Sequence, residues 1–316
     1  MGFIYTKSGK LAKRLYFGAV LLFEGLYYTF KNRVLADGGT FLENELPTIS
    51  QDAKLVLTTN AYKAGKLYSA VPNDGTGDFT VDRNSTATYV DEDGLIKTAL
   101  ANVPRIDWST GVPVISRELQ SINLIPYSED FSNAAWNKTN SPTITINAEE
   151  SPTGEITATK ITGSGTQGVY ELVSTAGSVP HNRSVYIKLF SGAGTGILKD
   201  PASSITIISF TATNKWVRYD FNQDSIGSGD AGIWIDNIDG TILIWGAQLE
   251  QASTATSYIP TNGATVTRLA DNINVPTPAG VTSITETIDG VEQTPITTIP
   301  TTYSLPVGNI NKVKML

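Results

Sequence analysis

The chain has no cysteine and one histidine, His181, among its 316 residues. The first absence removes disulfides, thiolate nucleophiles and zinc–thiolate sites together. The second leaves imidazole-based catalysis very short of material. His181 falls in Val179-Pro180-His181-Asn182-Arg183, which reads as a turn between strands, so an exposed loop histidine is expected. Charge is sparse as well, at 17% of residues against 40% hydrophobic. That is enough apolar material for roughly two or three compact units, each with a core. A chain that must persist outside a cell without disulfides needs another staple, and oligomerisation is the usual one.

Long apolar runs are also scarce. Leu15 to Phe23 is apolar, but Glu24 interrupts it and no small-x-small cleavage site follows cleanly. The run falls short of the roughly 20 residues that span a bilayer. Residues 1–33 carry six basic side chains against Glu24 alone, a net +5 in a chain whose total is −7, so the remainder stands at −12. A basic head on an acidic body suggests different partners at the two ends. Residues 1–45 are therefore expected to dock on a neighbouring protein.

What is present is β punctuation. Thr143 to Asn147, Ser184 to Leu189 and Trp216 to Phe221 alternate apolar and polar positions, the pattern of strands with one face on a core. Asp93-Gly94, Asp239-Gly240 and Asp289-Gly290 read as hairpin turns, with Asp239-Gly240 the strongest because apolar strands flank it on both sides. No helical run separates these strands, so the spacing predicts a sandwich and not βαβ units. The expected fold is all-β. Residues 1–45 form an anchor, 46–124 a mixed β connector with little core of its own, 125–268 a jelly-roll β-sandwich, and 269–316 a small β tip. The tip's Ile284, Ile288, Ile296, Ile299 and Leu305 are too few to bury a core alone, so packing equivalent tips around an axis is their expected cover.

The acidic stretches Glu149-Glu150 and Asp91-Glu92-Asp93 lie in or beside turns and do not make a glycan-cleaving pair. Gly163-Ser164-Gly165-Thr166-Gln167-Gly168 has dinucleotide-loop spacing but lacks the helix N-terminus that would hold the anion. Gly192-Ala193-Gly194-Thr195-Gly196 reads as the same kind of turn. No enzyme activity, organic cofactor or nucleic-acid partner is expected. A structural Ca²⁺ could be held by Asp224, Asp230, Asp236 and Asp239, whose loops are rich in hard oxygen donors. Aromatic rings are the remaining clue to a ligand. Trp136, Trp234 and Tyr170 are candidates for stacking on a glycan, whereas Trp216 and Trp245 lie within strong strands and fit a core.

Five stretches carry a wider likeness: Phe79 to Val90 with Asp93 to Ile96, Ala101 to Trp108, Glu118 to Trp136, Trp245 to Glu250 with Ala255 to Thr261 and Val266 to Arg268, and Thr297 to Tyr303. Together they resemble the virion fibre and decoration proteins of tailed bacteriophages, especially phages of Bacteroidetes hosts. The resemblance implies a jelly-roll module similar to carbohydrate-binding modules, carried on the particle surface and joined through residues 1–45 to a capsid or tail protein. It also implies a homo-oligomer, a trimer by analogy with fibres, with a possible host surface glycan as ligand. It brings no shared catalytic motif. The modest length and short tip favour a head fibre or decoration subunit. A tail-fibre receptor-binding protein is the alternative.

Overall fold

A computed structural model describes residues 52–316 apart from 64–65, 73, 176–178, 203–205 and 225–229. The 1–45 anchor therefore lies outside the described residues. Every helix or strand assigned among the described residues is a strand. The chain begins with β1 (Leu55–Lys63), β2 (Lys66–Val71), β3 (Thr80–Asp82), β4 (Ala87–Val90), β5 (Ile96–Ala99), β6 (Arg105–Asp107), β7 (Val114–Arg117) and β8 (Ser121–Asn123). Its middle holds β9 (Asn137–Thr139), β10 (Thr143–Glu150), β11 (Ile156–Ser174), β12 (Pro180–Lys199), β13 (Thr206–Thr211), β14 (Val217–Asp224) and β15 (Asp230–Glu250). It closes with β16 (Val266–Arg268), β17 (Asn272–Pro276), β18 (Ile284–Ile288), β19 (Val291–Glu292), β20 (Thr302–Ser304) and β21 (Gly308–Met315).

The middle is a jelly-roll β-sandwich, and three long strands make it. β11, β12 and β15 run for 19, 20 and 21 residues, and each passes through both layers. The first half of β11 pairs with β10 and the second half of β15, while its second half pairs with β9 and the first half of β15. The start of β12 pairs with β14 and the end of β15, and its end pairs with β13 and the start of β15. The layers are thus β10-β11-β15-β12-β14 and β9-β11-β15-β12-β13. Their inner faces share one core that includes Phe131, Trp136, Ile161, Val185, Leu198 and Ile244. Across it, Phe210 of one layer meets Tyr219 of the other with ring centroids 5.7 Å apart.

The Asp239-Gly240 pair, expected to turn a hairpin, is instead the corner where β15 crosses between layers. Gly240 has φ +94°, and a Cβ there would stand 2.9 Å from the backbone nitrogens of Ala193 and Gly194. The stretches Gly163 to Gly168 and Gly192 to Gly196, read as turns, are likewise corners of β11 and β12, marked by register shifts. A turn and a corner ask the same of a residue: room for positive φ and no side chain in the way of a second backbone. The other two Asp-Gly pairs do turn, Asp289-Gly290 between Ile288 and Val291 and Asp93-Gly94 between Val90 and Ile96. His181 corrects a further expectation. It is a fully buried residue of β12, not an exposed loop residue, with Nδ1 2.9 Å from the Val179 carbonyl.

The connector and the tip, expected as separate regions, form one unit. β21 lies between β1 and β18 and also pairs with β7. Leu55, Leu57, Leu67 and Phe79 share a core with Ile284, Tyr303, Leu305, Ile310 and Val313. Ile296 and Ile299 pack against it. The apolar tip residues thus find cover within their own chain, so their burial supplies no reason for a threefold axis. Neither segment could bury this surface alone, which is why they combine.

At the root of the sandwich β8 pairs with β16. Beside it the buried Arg83, Arg105 and Arg268 face two carboxylates. Asp271 accepts from Arg83 Nη1 at 2.7 Å, from Arg105 Nη2, and from the Glu118 amide at 2.9 Å. Glu118 accepts from Arg105 Nη1 at 2.8 Å and from Ser257 Oγ at 2.6 Å. A third cluster of Ile96, Trp245 and Tyr258 packs the connector onto the outer face of the sandwich.

A candidate ligand groove at the edge of the sandwich

Two segments far apart in sequence are stitched together beside β10. Asn123 donates through Nδ2 to the carbonyls of Ala247 and Ile259 and accepts from the amides of Ile125 and Leu249. Thr261 donates its hydroxyl to the Ile125 carbonyl at 2.6 Å and its amide to Ser128 Oγ at 2.9 Å. Tyr127 and Asn262 form an isolated antiparallel bridge. These bonds fix the 125–130 and 258–263 segments as two walls before any ligand arrives.

β10 supplies the third wall through a defect in its pairing. Its register on β11 shifts between Thr145 and Glu149, and Asn147 takes φ +50°. A bulge of this kind bends the strand and re-aims side chains. It leaves Ile146 43% exposed. The three walls enclose a groove of about 450 Å³. Tyr127, Ile146 and Pro260 give it apolar surface, while Glu129, Asp130, Asn147, Thr157, Thr261 and Asn262 give it polar groups.

Glu129 is the unusual member. Its Oε1 accepts from the hydroxyl of the buried Tyr258 at 2.8 Å. Ser128 Oγ lies 2.6 Å from the same hydroxyl, so with the Tyr258 proton on Glu129, Ser128 is the donor in that second bond. Burial pushes the Glu129 carboxyl above its ordinary range, the Tyr258 and Trp245 donors pull the other way, and Glu155 adds to the rise. Burial and the neighbouring Glu129 push the Tyr258 hydroxyl well up. Asp130 turns one oxygen onto Ser132, accepting from its amide at 3.0 Å and its hydroxyl at 2.6 Å. Among the described residues no lysine or arginine lines the groove. Neutral or cationic polar ligands suit such a site, and anions do not.

The residues expected from sequence fall elsewhere. Trp136 is 1% exposed, lies 4.6 Å from Phe131 between ring centroids, and donates Nε1 to the Tyr127 carbonyl at 2.9 Å. Its faces belong to the core, so the expectation of a stacking platform there is corrected: it holds a groove wall from behind. Tyr170 and Trp234 are brought together as a cross-strand pair, 5.0 Å apart at 42°, on the β9-β11-β15-β12-β13 layer. Lys199 Nζ sits 3.6 Å from the Trp234 ring centroid and 2.8 Å from Asp236. One face of the indole is therefore already occupied by an ammonium.

The aspartates proposed for calcium are scattered in role. Asp236 is buried and paired with Lys199, Asp239 is exposed at the β15 corner, and Asp230 begins β15 opposite Ser174. The Asp224 side chain lies outside the described residues. No group of three or more His, Cys, Asp or Glu side chains placed to hold a metal occurs among the described residues. Tyr127, Glu129, Asn147 and Asn262 were not foreseen. Their signal was the pair of stretches around Ser128 and Thr261, which only strand pairing brings face to face.

No family model matches the chain, and no curated protein does. Among solved structures, it is similar to the CBM22-1 xylan-binding domain from Paenibacillus barcinonensis, at 16% identity and TM-score 0.32, over 44% of this chain and 98% of that one. The enzymatically active domain of bacteriophage CBA120 tailspike protein 4 matches at 11% identity and TM-score 0.30, over 40% of this chain and 21% of that one. A carbohydrate-binding module from Cellvibrio mixtus lichenase 5A, in complex with cellotriose, matches at 10% identity and TM-score 0.28, over 42% and 96%. Likenesses at this level carry no argument about function, which rests on the groove itself.

Proposed function

We propose that this chain is a non-catalytic structural subunit on the surface of a bacteriophage particle, a head fibre or decoration protein, and that it contacts glycans through the groove. The groove is the observation that carries the glycan reading. It is concave, pre-formed, and mixes flat apolar surface with amides, hydroxyls and carboxyls, which is what a hydroxylated ring requires. The Tyr170–Trp234 pair is a second contact in this reading, open to a sugar ring on Trp234 once Lys199 swings aside. The particle reading is supported by the composite sequence resemblance over residues 79–303. Under it, residues 1–45 attach to a capsid or tail protein and the chain associates with itself as a trimer.

Lack of catalysis is supported by the placement of the two groove carboxyls. Glu129 and Asp130 are consecutive on one wall, whereas glycoside hydrolysis sets two carboxyls on opposite sides of the bond. The test is titration of the full chain against bacterial surface oligosaccharides, with Asn147→Ala and Asn262→Ala as variants. Binding weakened about fivefold or more by each, with no shortened product, is the expected result. Binding untouched by both substitutions, or release of oligosaccharide, would remove the reading. Mass photometry tests the assembly: a stable 33.8 kDa monomer would remove self-association.

A further inference from the structure

Several carboxylates elsewhere among the described residues are matched by guanidinium groups. Glu118 and Asp271 meet Arg105, and Asp200 meets Arg183 at 2.7 Å. Glu129 is not among them. It forms no ion pair among the described residues, and its oxygen partner is a neutral tyrosine hydroxyl. It lines the groove with Asp130 beside it and the Tyr127 ring on the same wall. Two carboxyls, one aromatic ring and no resident cation are the groups that recognise an ammonium. The amides of Asn147 and Asn262 lie on the facing walls, suited to the hydroxyls that a sugar ring carries around its amine.

We propose that the groove selects glycans bearing a free amino sugar, with the ammonium held by Glu129 and Asp130 and the ring resting against Tyr127 and Ile146. This rests on the glycan reading above and narrows it to one substrate class. N-acetylation removes the charge that the carboxyls recognise, and a uronic acid brings a charge of the wrong sign. The cation also supplies the charged partner that Glu129 lacks, offsetting the partial desolvation of its carboxyl.

The experiment titrates the full chain with a glucosamine trimer, an N-acetylglucosamine trimer and cellotriose at matched ionic strength. The glucosamine trimer is expected to bind roughly tenfold tighter than either neutral sugar, the scale of one hydrogen bond to a charged group. Glu129→Gln keeps the shape and the bond from Tyr258, and is expected to abolish most of that preference. Asp130→Asn, on a more exposed side chain, is the second variant should the first fold poorly. Val291→Ala, on an exposed side chain that does not line the groove, is expected to leave the preference unchanged. If all three sugars bind alike and Asn262→Ala weakens them equally, the amine selectivity is wrong and the glycan reading stands. If none binds, both are wrong. An amine preference that survives Glu129→Gln and Asp130→Asn would also overturn the assignment.

Discussion

Asp271 accepts from two buried guanidiniums and a backbone amide, so its charge holds the root of the sandwich together. Asp271→Asn leaves Arg83 and Arg105 without that charge and is expected to cost about 3–5 kcal/mol, read from denaturant midpoints. The acidic residues also set opposite pH dependences. Burial alone would raise Glu118, but Arg105, Arg268 and Ser257 outweigh it and hold the carboxyl down at about 2. A folded value below the unfolded one gives stability that is present above about pH 4.5 and lost as pH falls towards 2. Glu171 runs the other way. Burial pushes its carboxyl up to about 7 against the pull of Lys138, so its contribution is full below about pH 4.5 and lost as pH rises through 7. Denaturation at several pH values should show Glu118→Gln flattening the acid limb and Glu171→Gln the neutral one. A shift in neither would contradict these assignments. Single residues were the least legible part of the sequence. Trp136 and His181 sit in stretches with the composition of exposed loops, and only the surrounding core decides that both are buried.

Strands were legible because alternation is a local property, and the segments around Ile144, Ile187 and Val217 do pair as read. Their joins were not. Asp239-Gly240 and Asp289-Gly290 look alike in sequence, yet one lies inside a strand and the other closes a hairpin. What separates them is the neighbour that Gly240 meets from β12, some fifty residues away in sequence. Substitution should expose the difference. A Cβ at Gly290 (φ +76°) meets nothing within 4 Å, so Gly290→Ala is expected to cost only the backbone strain of about 1–2 kcal/mol. Gly240→Ala adds a clash with two backbone nitrogens, a further 1–3 kcal/mol or so. Equal urea midpoints for the two variants would show that the corner tolerates a side chain. The groove belongs to this scale too. Two of its three walls come from stretches that carried the resemblance, and the hydrogen bonds of Asn123, Ser128 and Thr261 are a physical reason for those residues to be polar.

At the scale of the whole molecule, the sandwich is an insertion. The chain leaves the outer unit after β7, enters the sandwich past β8, and returns through β16 to complete the sheet it left. No local pattern announces that residues 55–117 and 272–316 share a core, which is why they read as separate regions. Deleting residues 269–316 removes β21 from between β1 and β18. It is therefore expected to unfold the outer unit while the sandwich persists, seen as selective proteolysis of residues 52–117. Uniform resistance would mean that the first segment stands alone. The insertion has a mechanical consequence. Both ends of the sandwich emerge side by side at the β8–β16 pair, so a pull from the groove reaches the outer unit through that pair. The outer unit is loaded differently, since force entering at Leu55 acts on β1 along its length against β2 and β21. In a single-molecule extension between residue 55 and residue 262, the outer unit is the element expected to yield first, with the sandwich as its unbroken grip.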